Sequence, residues 1–207
     1  MEAEKSKPTK YRTPLRQAQR DLTRRRIKDA ARNLFYEQHY DSTTMDEIAI
    51  AAGLRRSTLY LHYKDKAEIL SEVIADYVPK AREVLSTLPG PAPSVPQVVT
   101  WIKKVAKFVA VERAPLSIIL ELRHDRSYLG ALEDLTSQLL SGLGENNPPF
   151  AEAAKESSSA MLRARGLLLF QQLTYSCELY LDNSSDPRNK ALLKVTAEDF
   201  HSFLSDG

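Results

Sequence analysis

Arg55, Arg56, Ser57 and Tyr60 bring two guanidinium forks, a hydroxyl and a phenol into one short stretch. Their chemistry is recognition. Arginine bonds bidentately to guanine O6 and N7, and hydroxyl and phenol groups reach phosphate oxygens. To act together they must stand outward on one helix, and the flanking residues supply that helix. Leu54, Leu59 and Tyr63 can face inward behind them, and Gly53 provides the backbone angles of a sharp turn just before. Upstream, Met45, Ile48, Ala49 and Ala52 fall at i, i+3, i+4 and i+7, one apolar face of a further helix. Thr44 can cap its start, with Glu47 bonding back to the cap. Residues 43–66 therefore predict two short helices joined by a tight turn and delivered into a third, a helix-turn-helix whose second helix enters a major groove. Arg55 and Arg56 are the candidate base readers. The start of the Thr44 helix, Tyr60, His62 and Lys66 are the candidate phosphate anchors, because helix N-termini and such side chains suit anions. Arg24, Met45, Ser57 and Thr58 complete the expected DNA-facing set.

The Gly53-Leu54 turn, Thr58-Leu59-Tyr60, His62-Tyr63-Lys64 and Lys66, with Thr43-Thr44 and Ile48-Ala49 upstream, resemble the DNA-binding signature of the tetracycline-repressor (TetR) family of bacterial regulators. The resemblance covers roughly residues 23–70. Leu61 departs from it, standing where the family often carries an aromatic, and the Arg55-Arg56 pair is more basic than usual. Both departures leave the operator sequence open. The resemblance implies a homodimer joined through its last two helices, a palindromic operator of double-stranded DNA, repression, and release by a small organic effector. It implies no enzyme activity and no cofactor.

Charge distribution agrees with a reader attached to a different kind of body. Residues 1–66 hold 15 Lys and Arg against 9 Asp and Glu, a net of +6, whereas residues 67–207 hold 14 against 18, a net of −4. The chain of 207 residues is long enough to bury a core without staples. One cysteine, Cys177, allows no internal disulfide, and no apolar run of signal-peptide or membrane-spanning length is present, so a cytoplasmic protein is expected.

Taken in order, residues 1–20 are rich in Lys, Arg, Pro and Thr and are expected to be a flexible basic arm. A helix over about 23–39 carries the stripe Ile27, Ala30, Ala31, Leu34 and Phe35. The expected division is an arm over 1–20, a helix-turn-helix domain over 21–65, and an effector-binding and dimerisation domain over 66–207. A helix from Asp65 to about Leu88 leads into the body, with Pro79 expected to kink or break it, and Pro89–Pro96 reads as a connector. Apolar periodicity then predicts helices over about 98–109, 115–122, 127–143 and 151–181, and a last one from about Pro187. No run alternates at period two, so the fold class is all-α, an N-terminal three-helix helix-turn-helix followed by a helical domain.

Wide apolar faces with aromatics in the body suggest a ligand cleft between helices. Tyr77, Trp101, Phe108, Phe170 and Tyr175 are its candidate lining, with Glu121, Arg123 and His124 as polar groups to orient a ligand. Glu121 and His124 at i and i+3 match half of a di-iron motif, but the second copy is missing and no metal is expected. No phosphate-binding glycine loop is present and Cys177 has no companion for a zinc site. A helical enzyme or ligand carrier, and a nonspecific nucleoid protein, are the alternative classes. DNA binding with sequence preference separates them.

Overall fold

The computed structural model describes residues 14–90, 92–122 and 128–205. Those residues form ten α-helices and, among them, no strand. Contacts divide the chain into two compact units, residues 1–72 and 73–207.

The first unit holds α1 (Pro14–Gln38), α2 (Met45–Ala51), α3 (Arg56–Tyr60) and the start of α4 (Lys66–Leu85). α1 is longer than the sequence stripe suggests: residues 14–20, expected as part of a flexible arm, are helical. Pro14 suits this because proline at a helix start loses no ladder hydrogen bond and has its φ already set. The remainder of the arm, residues 1–13, lies outside the described residues. Ile27, Ala31 and Phe35 of α1 are fully buried, with Ile48 of α2 and Leu59 of α3. Each of the larger ones, Ile27, Phe35, Ile48 and Leu59, contributes about 1.5–3 kcal/mol on burial, which is what holds together helices too short to persist alone.

Local chemistry sets both ends of α2. Thr44 accepts from the Glu47 N–H at 3.3 Å while the Glu47 carboxylate accepts from the Thr44 N–H at 2.8 Å, the expected capping box. At the other end the Gly53 N–H donates to the Ile50 carbonyl and the Leu54 N–H to the Ala49 carbonyl, at 2.9 and 2.8 Å, a Schellman turn. The turn needs a left-handed residue, and Gly53 supplies φ +66°. Arg26 reaches in from α1 to donate to the Ala52 carbonyl at 2.6 Å, a cation on the negative end of α2.

The second unit contains the rest of α4, α5 (Val95–Val111), α6 (Arg113–Leu122), α7 (Leu129–Gly144), α8 (Pro148–Ala153), α9 (Ala160–Asp182) and α10 (Pro187–Ser205). α4 runs unbroken past Pro79, contrary to a break there; the proline and the Ala75 turn it deprives of a bond are exposed, so water can serve the freed carbonyl. Pro96, read as connector, lies in the first turn of α5, whose entry is tied by the Ser94 N–H donating to the Gln97 side chain at 2.8 Å. The expected single helix over 151–181 is two: α8 ends at Ala153 and α9 begins at Ala160, capped by Ser159 accepting from the Leu162 N–H at 3.2 Å. α5, α9 and α10 pack together around Trp101, Phe150, Phe200 and Phe203, whose rings meet at centroid distances of 4.7–5.6 Å. Asn147, 1% exposed, donates to the Leu88 and Leu143 carbonyls and so ties the end of α4 to the end of α7.

A Cβ added at Gly53 would lie 2.8 Å from the Arg26 guanidinium, in a backbone region that L side chains resist. Gly53→Ala is expected to lower stability by about 1–2 kcal/mol, read by urea unfolding at fixed slope. An unchanged midpoint would contradict this account of the turn.

Candidate nucleic-acid interface and ligand cavity

The five-residue α3 presents its outer face as the spacing predicts. Arg55, Arg56, Ser57 and Tyr60 are exposed, Thr58 is half-buried, and Leu59 and Tyr63 are buried. Arg55 stands at the N-cap with its side chain unbonded to the cap. Among the described residues no ion pair or hydrogen bond occupies its guanidinium, nor the hydroxyl of Ser57. Arg56 is steered: its Nη1 donates to Asp46 Oδ2 at 2.6 Å and its guanidinium lies 5.6 Å from the Tyr60 ring. Both partners of that pair are largely exposed, so it contributes little stability and fixes direction instead. Met45 is half-buried at the start of α2, and the Thr44 hydroxyl is occupied by Glu47 at 2.8 Å.

Two expected DNA contacts are internal struts. Lys66 was expected on a phosphate; its ammonium instead donates to the carbonyls of Tyr40, Asp41 and Thr43 at 2.8, 3.0 and 3.2 Å, above the Tyr40 ring at 4.4 Å. All three of its protons are used. Those carbonyls follow α1 in the turn where His39 adopts φ +71°, so Lys66 stitches α4 to the entry of α2. Arg24 was also expected to face DNA. It donates to the His62 carbonyl at 2.9 Å, pairs with Glu72, and lies 4.3 Å from the Tyr63 ring. Tyr63 completes the network by donating to Glu72 at 2.7 Å. Burial opposes the charge on Glu72, yet the bonds from Tyr63 and Arg24 hold its carboxyl below the usual range. Burial, then the bond to Glu72, pushes the Tyr63 phenol up, so it stays a donor.

His62 is half-buried, and burial followed by the charges of Arg20 and Arg24 lowers its pKa. The imidazole is therefore neutral near pH 7. Lys64, part of the signature but outside the expected DNA-facing set, is 78% exposed just past α3, with Asp65 at 4.0 Å. Its signal was its position one residue past Tyr63: the buried tyrosine turns its successor outward.

The second unit holds a cavity of about 560 Å³ between α4, α5, α6, α7, α8 and α9. Tyr77, Phe108 and Phe170 line it as expected, the first two stacked at 5.8 Å. Trp101 does not; it is 3% exposed in the core against Phe200. Tyr175 is 56% exposed on the outer side of α9, and Glu121 lies near the end of α6 outside the lining. Each shares an apolar or polar helix stripe with true lining residues, and only packing decides between them. Arg123 and His124 lie outside the described residues. Most of the wall was unforeseen: leucines of α7 and α9, with Glu133, Thr136, Arg163 and Gln171. Among the described residues no cluster suited to a metal ion occurs. Burial, then the charge of Glu178, pushes the Cys177 thiol up to about 12, leaving it a core residue.

A capped helix, a left-handed glycine turn and a short helix with outward arginine, hydroxyl and phenol groups define a helix-turn-helix DNA-binding unit. Residues 27–73, which span most of the first unit, match the family described as bacterial regulatory proteins, tetR family. The HTH-type transcriptional regulator AcrR of Shigella flexneri is 47% identical over 51 residues, which cover 25% of this chain and 24% of that protein. The chain thus aligns with about a quarter of such a relative's length. Over the whole length the fold is similar to Salmonella enterica GusR, with a TM-score of 0.64, 19% identity, and 96% and 98% of the two chains covered. Thermus thermophilus FadR, described as a TetR-family transcriptional repressor in complex with lauroyl-CoA, gives a TM-score of 0.51 and 21% identity over 87% and 93%. These two likenesses establish the fold. No helix among the described residues is long and apolar enough to cross a membrane.

Lys66→Ala is expected to destabilise the first unit by about 1–3 kcal/mol, because three carbonyls lose a charged donor. Chemical unfolding checks this, and a variant as stable as the parent would return Lys66 to the list of free cations.

Proposed function

We propose that the chain is a sequence-specific DNA-binding transcriptional regulator, a homodimeric repressor that occupies an inverted-repeat operator and is released by a small organic effector. The observation that carries this reading is the family match over residues 27–73 together with the unoccupied donors of α3 within it. Arg55 reads bases, Arg56 reads them from a direction fixed by Asp46, and Ser57, Tyr60 and Lys64 contact phosphates. Thr58 and the start of α2, with Thr44 exposed and Met45 half-buried, complete the face.

Pairing of two copies rests on α9 and α10. Met161, Leu168 and Tyr175 recur every seven residues along α9 and are 73%, 62% and 56% exposed, and Val195 of α10 is 47% exposed. A stripe of that kind on a soluble chain marks an association surface, and a second copy meeting it would form a four-helix bundle. Two-fold pairing implies half-sites about one helical turn, roughly 34 Å, apart or somewhat more. Effector release draws support from the cavity in the second unit and from α4, which runs without interruption across the boundary between the units. A ligand acts only by favouring one arrangement of the readers over another, and by linkage operator DNA weakens ligand binding by the same factor.

Selection from random duplexes followed by footprinting is expected to return an inverted repeat protected by a dimer. A non-palindromic site protected by a monomer would refute the reading. Arg55→Ala is expected to cost about 1–3 kcal/mol of operator affinity and to relax the preference at one position per half-site. Lys64→Ala is expected to weaken all sequences alike and to lower the salt slope by about one unit per contact. Leu168→Glu is expected to give a folded monomer by light scattering with operator binding lost; a dimer of unchanged affinity would place the interface elsewhere.

A further inference from the structure

The polar groups on the cavity wall are unevenly distributed. α4, α5 and α6 contribute only apolar side chains and the phenol of Tyr77, while Glu133, Thr136, Ser137, Arg163, Gln171 and Thr174 all come from α7 and α9. An occupant is therefore apolar over most of its body and polar at the α7–α9 side. The Thr136 and Thr174 hydroxyl protons already serve the Leu132 and Gln171 carbonyls at 2.7 and 2.8 Å. That leaves Arg163 and Glu133, both exposed, to decide the sign of the polar end.

Their positions in their own helices differ in consequence. Glu133 lies near the N-terminal end of α7, where an anion is favoured by the helix dipole and needs no further partner. Arg163 is the fourth residue of the 23-residue α9, where a cation faces the positive end of its own helix. Among the described residues no ion pair relieves it. A carboxylate at this point takes the guanidinium fork and the field of α9 together. The opposite orientation is disfavoured. At that end α4, α5 and α6 offer a charged head group only the Tyr77 phenol, which is 5% exposed and is pushed up by burial and then by the charge of Glu112, a carboxylate itself paired with Lys80 at 2.7 Å.

We propose that the cavity of the second unit takes an amphiphilic monocarboxylic acid, its hydrocarbon body among α4, α5 and α6 and its carboxylate on Arg163. This rests on the reading of the cavity as the effector site. A single guanidinium suits one carboxylate. A nucleotide-bearing thioester of the same tail carries several negative charges, and among the described residues Arg163 is the one cation that lines the cavity to meet them.

Decanoate, decanol and decyltrimethylammonium share one tail and differ in head, and their affinities for the full chain are measured by calorimetry without DNA, below their aggregation concentrations. Decanoate is expected to bind tightest. Arg163→Gln is expected to remove about a tenfold advantage of decanoate over decanol while decanol is unchanged, and Arg163→Lys to keep part of it. Leu120→Trp, which fills the wall, is expected to weaken all three. The proposal is overturned if the ammonium binds better than the acid, if the acid-to-alcohol ratio survives Arg163→Gln, if Leu120→Trp leaves decanoate binding intact, or if decanoyl-coenzyme A binds tighter than decanoate. Absence of binding by every tail overturns it too, while the DNA-binding reading stands. Decanoate binding that leaves operator affinity unchanged supports the ligand class and removes the effector role.

Discussion

The first unit depends on the cluster in which Arg24, Tyr63 and Glu72 meet the carbonyl of His62. A five-residue helix has no stability of its own, since nucleation consumes more order than so few ladder bonds return. α3 can hold its outer side chains in register only if its ends are fixed from outside. The cluster does this at the C-terminal end, joining α1, the exit of α3 and the start of α4 through bonds to charged groups. The Gly53 turn and the Arg26 contact do it at the other end. Lys66 fixes the entry to α2, so three cations of a basic domain, Arg24, Arg26 and Lys66, are engaged in holding the domain together.

This division explains what the sequence made legible. The capping box, the glycine turn and the inward and outward faces of α2 and α3 depend on residues within a few positions of one another, and all three could be read from spacing. Whether a given cation is free could not. Arg24 finds Glu72 and Lys66 finds Tyr40 across dozens of residues, and nothing local separates them from Arg55 or Lys64. Burial of the neighbour is the local clue, as with Lys64 beside buried Tyr63.

The second unit shows the same limit in a different form. Apolar periodicity located its helices, yet Trp101 and Phe108 lie on one stripe of α5 and only the second faces the cavity. The split between α8 and α9 was concealed because the segment around Ser157–Ser159 interrupts an otherwise apolar run without proline or glycine. Once α9 is placed, its all-round apolar character resolves into two faces. Leu169, Leu173 and Cys177 are buried, whereas Met161, Leu168 and Tyr175 are left to solvent. Arg163, near its start, borders the cavity between those faces.

Cys177 is fully buried in this helix with a thiol that holds its proton well above neutral pH. Thiol-reactive reagents attack thiolates that solvent can reach, and this sulfur offers neither condition. A second cysteine introduced on the outer side of α3 or near the start of α9 would be the sole reactive one, with the native residue left in place. Spectroscopic labels can then be attached at one chosen point, and the motion of that point followed in solution without first rebuilding the core.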